Sequence, residues 1–161
     1  MSASAAASGS PARGMIEPTH PQLRALLGYW LKKKGERRAP TRADIDPSEI
    51  VPLLPHVGLV DVVRDPLRFR FRLVGTAIAA GYGRDITGSF LDEVDLDRHE
   101  QEIIAEYARV IETWEPACAR WEYVRRDGRY VAYERMVLPL SSDGKTVDML
   151  FGGCVFDHSF P

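Results

Sequence analysis

Hydrophobic and polar positions alternate most clearly at residues 68–73 (RFRFRL). A period of two residues is typical of a strand that has one packed face and one solvated face. Phe69, Phe71 and Leu73 are therefore predicted to point at a core or a cavity, and the arginines between them to point away. The preceding segment 56–63 (HVGLVDVV) is rich in β-branched residues and predicts a first strand that forms a hairpin with this one.

A helical period appears at residues 19–35, before these strands. The apolar residues there recur three or four positions apart, so they form one face of an amphipathic helix. Thr19 and Gln22 have the spacing of a capping box, and Pro21 suits the first turn. The apolar residues of this face are Leu23, Leu26, Leu27, Trp30 and Leu31.

A longer helix follows a short helical turn at 76–82 and a glycine-rich loop. It is predicted to begin at a capping box formed by Asp97 and Glu100 and to end before Pro116. Asp-Gly pairs, which are typical of hairpin turns, separate the strand-like segments that come next. We therefore predict a three-stranded meander from the segments 117–125, 129–138 and 146–156.

The order of these elements indicates the fold class. Two strands, short helices, one long helix and three strands make an α+β protein, not the regular alternation of a parallel α/β protein. Five antiparallel strands are expected to bury one face under the helices and to expose the other, and a cavity is expected on the helical side. We assign 1–18 to a disordered tail, because its small polar residues cannot offset the entropy of ordering. Residues 19–161 are predicted to form one domain, with its core at 56–156.

Composition adds few constraints. The 161 residues carry a formal net charge of -2 with 27% charged side chains, which gives no reason to expect nucleic acid or an anionic membrane as the main partner. The arginines of the second strand most simply form a solvated face or pair with acidic residues on a neighbouring strand. No apolar run approaches the roughly 18 residues of a membrane span, and no signal-peptide pattern occurs, so a cytoplasmic protein is expected.

Residues that could perform chemistry are scattered along the chain. Cys118 and Cys154 match neither a redox pair nor a zinc spacing, and no two histidines have the spacing of a local metal site. No nucleophile, base and orienting group occur together, so we predict no catalytic site, no metal site and no enzymatic activity. Glu134 and Arg135 keep an enzyme as an alternative, because the two side chains could orient an acidic or amide substrate. A buried salt bridge, or an exposed Arg135 with Glu134 partly inward, is a simpler explanation of these two residues than a substrate site.

Acidic residues also cluster near the start of the long helix. A carboxylate cluster can bind a metal ion, but acidic side chains in this position more simply favour the positive end of the helix dipole and solubility. We adopt the second interpretation for Asp97, Glu100, Glu102 and Glu106.

Several short motifs occur in the order found in a known family. They are Tyr29-Trp30, 40–47 (PTRADIDP), 53–56 (LLPH), 71–76 (FRLVGT), 83–88 (GRDITG), and Tyr133-Glu134-Arg135 before 138–140 (LPL). Together they resemble a PAS domain, and more narrowly the stand-alone PAS-type family common in alphaproteobacteria, over about residues 29–156. The resemblance implies a five-stranded antiparallel sheet of order 2-1-5-4-3 with helices over one face, here with an extra N-terminal amphipathic helix. Such domains usually sense small molecules or mediate self-association and partner contacts.

The first functional hypothesis is a non-catalytic sensory module that binds a small, mainly apolar ligand between sheet and helices. The chain has no room for an output domain, so the signal is expected to pass to a separate partner protein. Strand register decides which residues face the ligand, since a slip of one residue exchanges the two faces. The candidate ligand-binding residues are Phe71, Leu73, Ile78, Tyr82, Ile86, Trp121, Tyr123, Met136 and Phe151.

The second hypothesis is an interaction module that acts through homodimer formation. N-terminal helices of PAS-like proteins often pack in homodimers. The apolar face of the helix at 19–35 would then contact a second copy, or the outer surface of the sheet. The candidate interface residues are Leu23, Leu26, Leu27 and Trp30.

No cofactor is assigned from the sequence. Some PAS domains resemble haem sensors with a proximal histidine on a helix over the sheet. His99, however, lies in the first turn of the long helix between two charged residues, where exposure is the simpler explanation. No cysteinyl-flavin motif accompanies Tyr82, Cys118 or Cys154.

Overall fold

The structure is a computed structural model that describes residues 17–94, 99–125 and 127–157, without the side chain of Tyr123. Its α-helices are α1 (Pro21–Lys34), α2 (Thr76–Tyr82) and α3 (Glu100–Thr113). Its strands are β1 (Val57–Val63), β2 (Arg68–Val74), β3 (Ala117–Val124), β4 (Tyr130–Leu140) and β5 (Met149–Asp157). Short 3-10 helices occupy Arg42–Asp44, Pro47–Glu49, Val51–His56 and Leu91–Glu93.

The strands form one antiparallel sheet in the order β2-β1-β5-β4-β3. The predicted fold class and strand order are therefore confirmed. Most of the predicted tail, 1–16, and the chain end, 158–161, lie outside the described residues, so the limits of the domain stay predictions.

Helices pack on both faces of the sheet. We call the face under α2 and α3 the inner face, and the face under α1 the outer face. β4 is buried without interruption from Val131 to Leu140, although successive side chains point to opposite faces. The expectation that one face is exposed was wrong at β4 and β5, because α1 packs on them, whereas Arg70 and Arg72 of β2 are exposed on this face as expected.

The strand register assigns side chains to the two faces, since directly opposite residues of antiparallel strands share a face. Phe71 lies opposite Val60, and Arg135 lies opposite Cys154. Arg135 contacts α3, which identifies these residues as inner-facing. Gly153, in contrast, faces outward, because a Cβ there would come within 2.8 Å of the Leu26 side chain.

A β-bulge interrupts the alternating pattern of β2. Val60 pairs with Phe71, but the preceding Leu59 pairs with Leu73, so Arg72 is an extra residue. The bulge transfers Leu73 to the outer face, where it is 43% exposed. The prediction that Leu73 continues the inward stripe was therefore wrong.

The arginines of β2 pair with acidic residues, as the sequence indicated. Arg70 and Arg72 both contact Asp61 of the neighbouring strand, at 3.2 and 2.7 Å. Arg68 bonds Asp92 at 2.8 Å and stacks on Phe90. These contacts neutralise the charged face of β2 and tie its edge to the segment that follows α2.

The predicted cap of α1 is absent. His20 occupies the N-cap position without a side-chain cap, and Thr19 bonds to Glu134 of β4 instead. The reason is tertiary: the Glu134 carboxylate on the sheet accepts hydrogen bonds from the Thr19 hydroxyl and from the backbone N–H groups of the two residues that precede the helix. Asp97, half of the other predicted capping box, lies outside the described residues.

Candidate functional site

A cavity of about 50 Å³ lies between the inner face of the sheet and α2. Gly58 of β1 and Gly152 of β5 lie opposite each other at its base, and neither has a side chain to fill the space. Its walls are mainly apolar, with Arg135 as the charged exception. The lining residues are Gly58, Val60, Phe71, Leu73, Val74, Ile78, Tyr82, Ile86, Tyr107, Arg135, Met136, Val137, Leu150, Phe151, Gly152, Gly153 and Cys154.

The two glycines at the base differ in the room around them. A Cβ at Gly58 would lie 3.5 Å from the Leu73 carbonyl oxygen and 3.8 Å from Cδ1 of Ile78, which are ordinary contact distances. A Cβ at Gly152 would lie only 2.4 Å from the Met136 carbonyl oxygen. Gly58 alone can therefore accept a side chain without backbone movement, and that side chain would point toward the cavity wall at Ile78.

A buried ion pair forms the polar end of the cavity. Nε and Nη2 of Arg135 donate to the same Glu106 oxygen, at 3.0 and 2.5 Å. The side chains are only 6% and 4% exposed. Burial alone would lower the pKa of Arg135, but the Glu106 carboxylate raises it well above its usual value, so the guanidinium stays charged. This pair is the buried salt bridge that the sequence allowed.

Phenol groups extend this polar end. Nη1 of Arg135 donates to the Tyr133 hydroxyl at 3.1 Å. Burial raises the pKa of Tyr133 to about 12 and raises that of Tyr82 far above its usual value. A side-chain hydrogen bond connects Tyr82 to Tyr133. The phenols are therefore neutral near pH 7, and they connect the ion pair on the sheet to α2.

Trp121 adds a buried donor without a partner. Its ring lies 4.7 Å from Cζ of Arg135, and the side chain is 5% exposed. Its Nε1 has no hydrogen-bond acceptor, and it is the one buried side-chain nitrogen or oxygen in the described residues in this condition. A buried donor that makes no hydrogen bond is costly, so this N–H needs an explanation.

Comparison with known proteins gives the family. A family model described as PAS domain matches residues 10–155. The chain belongs to the PAS domain family. No curated protein matches it.

Solved structures with the PAS fold are similar in architecture but distant in sequence. A LOV protein from Rhodobacter sphaeroides has 10% identity and a TM-score of 0.51, over 72% of this chain and 70% of that one. A LOV domain studied with a flavin analogue has 12% identity and a TM-score of 0.53, over 71% and 87%. The LOV domain of the photoreceptor aureochrome1 has 10% identity and a TM-score of 0.51, over 70% and 88%. At such identities the likeness shows the PAS fold alone.

The flavin analogue named for the second of these structures belongs to that protein. In this PAS domain the cavity of about 50 Å³ is several times smaller than the roughly 300–1,000 Å³ typical of ligand pockets. Burial raises the pKa of the Cys154 thiol, which borders the cavity, so a reactive thiolate is disfavoured there. The residues present do not fit a flavin, and we assign none.

Most of the predicted ligand-binding residues surround the cavity of this PAS domain. Trp121 is not in the lining and lies beside Arg135, and the side chain of Tyr123 is outside the described residues. The predicted residues that border the cavity are Phe71, Leu73, Ile78, Tyr82, Ile86, Met136 and Phe151. That these residues bind a ligand stays a prediction.

Three of the bordering residues belong to the outer set. Phe151 lies opposite Leu59, and Met136 lies opposite the outward-facing Gly153. With Leu73, they occupy the face that the bulge and the register assign to α1. Sequence alternation alone left the register of Met136 and Phe151 open, and the structure places both of them with Leu73 in the outer set.

Several residues of the site were not predicted from the sequence. Gly58 and Gly152 gave no signal, because a glycine within a strand indicates many different features. Glu106 was grouped with exposed acidic residues, but it is buried against Arg135. Its signal was its place on α3, three residues after Ile103 and four before Val110, both of which are buried on one helix face.

The predicted interface residues of α1 are buried within their own chain. Leu23, Leu26, Leu27 and Trp30 are each 5% exposed or less. Nε1 of Trp30 donates to the Pro139 carbonyl oxygen at 2.9 Å. Of the two surfaces that the sequence offered, the structure therefore places the outer face of the sheet against α1, and a second copy cannot reach these side chains in this arrangement.

Glu134 holds the start of α1 on the sheet. Its carboxylate accepts hydrogen bonds from the backbone N–H groups of Thr19 and His20, at 2.9 and 3.0 Å, and from the Thr19 hydroxyl at 3.0 Å. The Cys118 thiol points at the same carboxylate, at 3.6 Å. Burial tends to raise the pKa of Glu134, but the hydrogen bonds from Thr19 and His20 outweigh it and lower the pKa. The carboxylate form is thus the one that anchors α1.

Replacement of Glu134 by glutamine is expected to reduce the pH dependence of stability. The folded-state pKa lies below the unfolded value, so Glu134 contributes fully above about pH 5 and loses its contribution as the pH falls through the folded-state pKa. Urea unfolding of the wild type and Glu134→Gln, at about pH 7 and about pH 3.5, measures the difference. Glu112→Gln on the exposed face of α3 is the matched control. An equal loss of stability on acidification in the Glu134 variant and the wild type would contradict the assignment.

His99 lies apart from the cavity lining. Nδ1 of His99 is 2.9 Å from a Glu102 oxygen, and the ring makes an edge contact with Trp121. Among the described residues, no group of three or more histidine, cysteine, aspartate or glutamate side chains could hold a metal ion. In the same part of the chain, no helix is long and apolar enough to cross a membrane.

Proposed function

We propose that this PAS domain is a non-catalytic sensory module that binds a small, mainly apolar ligand between the sheet and α2. The observation that carries the proposal is the cavity over the Gly58 and Gly152 pair, with apolar walls and one buried polar end. Ligand sites in proteins commonly combine apolar walls with a few convergent polar groups.

The size of the cavity links ligand binding to a conformational change. An engineered protein cavity of about 150 Å³ holds benzene, whereas this cavity has about 50 Å³. A ligand of six or more heavy atoms must therefore displace part of the wall. α2 is the shorter of the two helices in the wall, with 7 residues against 14 in α3, so we propose that Ile78 and Tyr82 move outward when the ligand binds.

Movement of α2 can be transmitted by direct contacts to α1 on the outer face of the sheet. Gly75, at the start of α2, lies so close to the 3-10 helix Val51–His56 that a Cβ would be 2.3 Å from the Pro55 carbonyl oxygen. The same 3-10 helix contacts α1. A ligand that favours a displaced α2 would thus also change the packing of α1, since a ligand shifts an equilibrium only through its differential affinity for the two states. We propose that a separate partner protein reads this change.

Gly58→Ala is expected to weaken the binding of small apolar ligands at least tenfold. The added methyl group would occupy cavity space at ordinary contact distances, so the fold is retained while the ligand volume is reduced. A panel of neutral apolar compounds, screened by thermal shift and followed by calorimetry, supplies the ligands. Gly28→Ala on α1, where no atom lies within 4 Å of the added Cβ, is the matched control and is expected to bind like the wild type.

Two outcomes would count against a ligand-binding function. One is the absence of any hit in the panel. The other is equal affinity of the wild type and Gly58→Ala for every hit, since the compounds would then bind outside the cavity.

A further inference from the structure

We infer that the ligand of this site is electrically neutral and carries a hydrogen-bond acceptor, such as the carbonyl oxygen of a ketone, aldehyde, ester or amide. The inference rests on the proposed function, because it specifies what the same cavity binds. It depends on three observations: the charge balance at the polar end, the spare donors of Arg135, and the unpaired N–H of Trp121 beside Arg135.

The charge balance disfavours an ionic ligand. Arg135 and Glu106 neutralise each other at a site where both side chains are more than nine-tenths buried. A carboxylate or an ammonium group in the cavity would be a third charge without a counterion, and an isolated buried charge is strongly unfavourable. A neutral ligand leaves the pair intact.

Spare donors point to an acceptor on the ligand. The guanidinium group has five N–H donors, and three of them are used, by Glu106 twice and by Tyr133 once. Within the described part of the chain, one N–H on Nη1 and one on Nη2 have no acceptor. Arg135 lines the cavity whereas Glu106 does not, so the member of the ion pair that borders the cavity is the donor and not the acceptor.

The indole of Trp121 supplies an independent observation. Its buried Nε1 has no acceptor, and its ring stacks 4.7 Å from the centre of the same guanidinium. Two neighbouring groups therefore have unused donors in one buried region. Trp121 does not line the cavity, so a ligand oxygen reaches this N–H through the same displacement of the wall that the ligand volume requires, and the unpaired N–H then gains a partner in the bound state.

Three compounds of similar shape test the inference: acetophenone, which is neutral with an acceptor, ethylbenzene, which has no acceptor, and benzoate, which is anionic. Acetophenone is expected to bind about ten- to a hundredfold more tightly than ethylbenzene, as expected for a hydrogen bond from a charged donor. Benzoate is expected to bind more weakly than either. Calorimetry or ligand-observed NMR with the wild-type protein gives the three affinities.

The indole N–H resonances locate the contact. Acetophenone is expected to shift the Trp121 indole signal, assigned with Trp121→Phe, while ethylbenzene leaves it nearly unchanged. Trp30, whose indole already donates to Pro139, is the internal control. Glu106→Gln removes the negative charge from the pair, so this variant is expected to gain affinity for benzoate by at least tenfold relative to the wild type.

The results test the inferred ligand chemistry separately from the proposed ligand-binding function. Equal binding of acetophenone and ethylbenzene, or tightest binding of benzoate by the wild type, would overturn the inference and leave the apolar-ligand function standing. Acetophenone binding without a shift of the Trp121 signal would also overturn it. Failure of all three compounds to bind would overturn both. If Glu106→Gln does not fold, the wild-type affinities and the indole shifts still decide the inference.

Discussion

Arg135→Met is expected to lower the free energy of unfolding by about 3–5 kcal/mol, because the Glu106 carboxylate then stays buried without its counterion. Glu106 is 4% exposed, and Arg135 donates both of its hydrogen bonds. The methionine side chain keeps the approximate length of the arginine stem, so little of the loss arises from packing. Urea denaturation followed by circular dichroism measures the effect.

A double-mutant cycle separates the ion pair from its surroundings. Glu106→Leu alone leaves the guanidinium unpaired and is expected to cost a similar amount, whereas Arg135→Met with Glu106→Leu is expected to be much less destabilised than the sum of the two. Arg120→Met is the matched control, because Arg120 pairs with Asp157 at the surface and is 44% exposed. Its expected cost is below about 1 kcal/mol. Additive effects in the cycle would show that Arg135 and Glu106 do not act as a pair.

The strand order was predictable because each strand carries its own local pattern. Alternation marked β2 at Phe69 and Phe71, and these residues are buried as expected, with 3% and 9% exposure. The bulge was not predictable in this way. Nothing in the alternation of β2 shows that Arg72 is an extra residue, since the bulge depends on how β1 pairs with both of its neighbours. The sequence therefore placed Leu73 on the wrong face.

The buried ion pair could not be predicted from local sequence patterns. Arg135 on β4 and Glu106 on α3 are 29 residues apart, and only the packing of α3 on the inner face brings them together. Charged residues are normally exposed, so Glu106 was predicted to be exposed like its acidic neighbours. Its helical position relative to Ile103 and Val110 was the available counter-signal, because these three residues share a face of α3. A charged residue on an apolar helix face predicts a buried partner, though not which one.

The amphipathic pattern of α1 identified the buried helix face but left its partner open. An apolar stripe is equally satisfied by a second copy or by the sheet of its own chain. The structure contains two details that favour the sheet. Gly153 of β5 leaves room for Leu23 and Leu26, and Glu134 accepts hydrogen bonds from the backbone N–H groups just before the helix. Both residues are far from α1 in sequence, so their contacts with α1 could not be predicted before the fold was known.

Trp30→Ala is expected to lower the free energy of unfolding by about 3–5 kcal/mol, as is usual for truncation of a fully buried aromatic side chain. Trp30 is 1% exposed and bonds the Pro139 backbone. Leu31→Ala, the next residue on α1 and 41% exposed, is the matched control and is expected to cost less than about 1 kcal/mol. Trp30→Phe keeps most of the packing and loses the hydrogen bond, so about 1 kcal/mol is expected from that change.

The concentration dependence of unfolding then distinguishes the two surfaces proposed for α1. Because Trp30 packs on its own sheet, the cost of Trp30→Ala is expected to be independent of protein concentration, and light scattering is expected to give the same mass for the variant and the wild type. In a homodimer held together by Trp30, stability would rise with concentration and the variant would dissociate. A destabilisation that disappears at low concentration would therefore show that α1 packs on a second copy and not on its own sheet. The proposed coupling of α2 to α1 would then have to act between subunits.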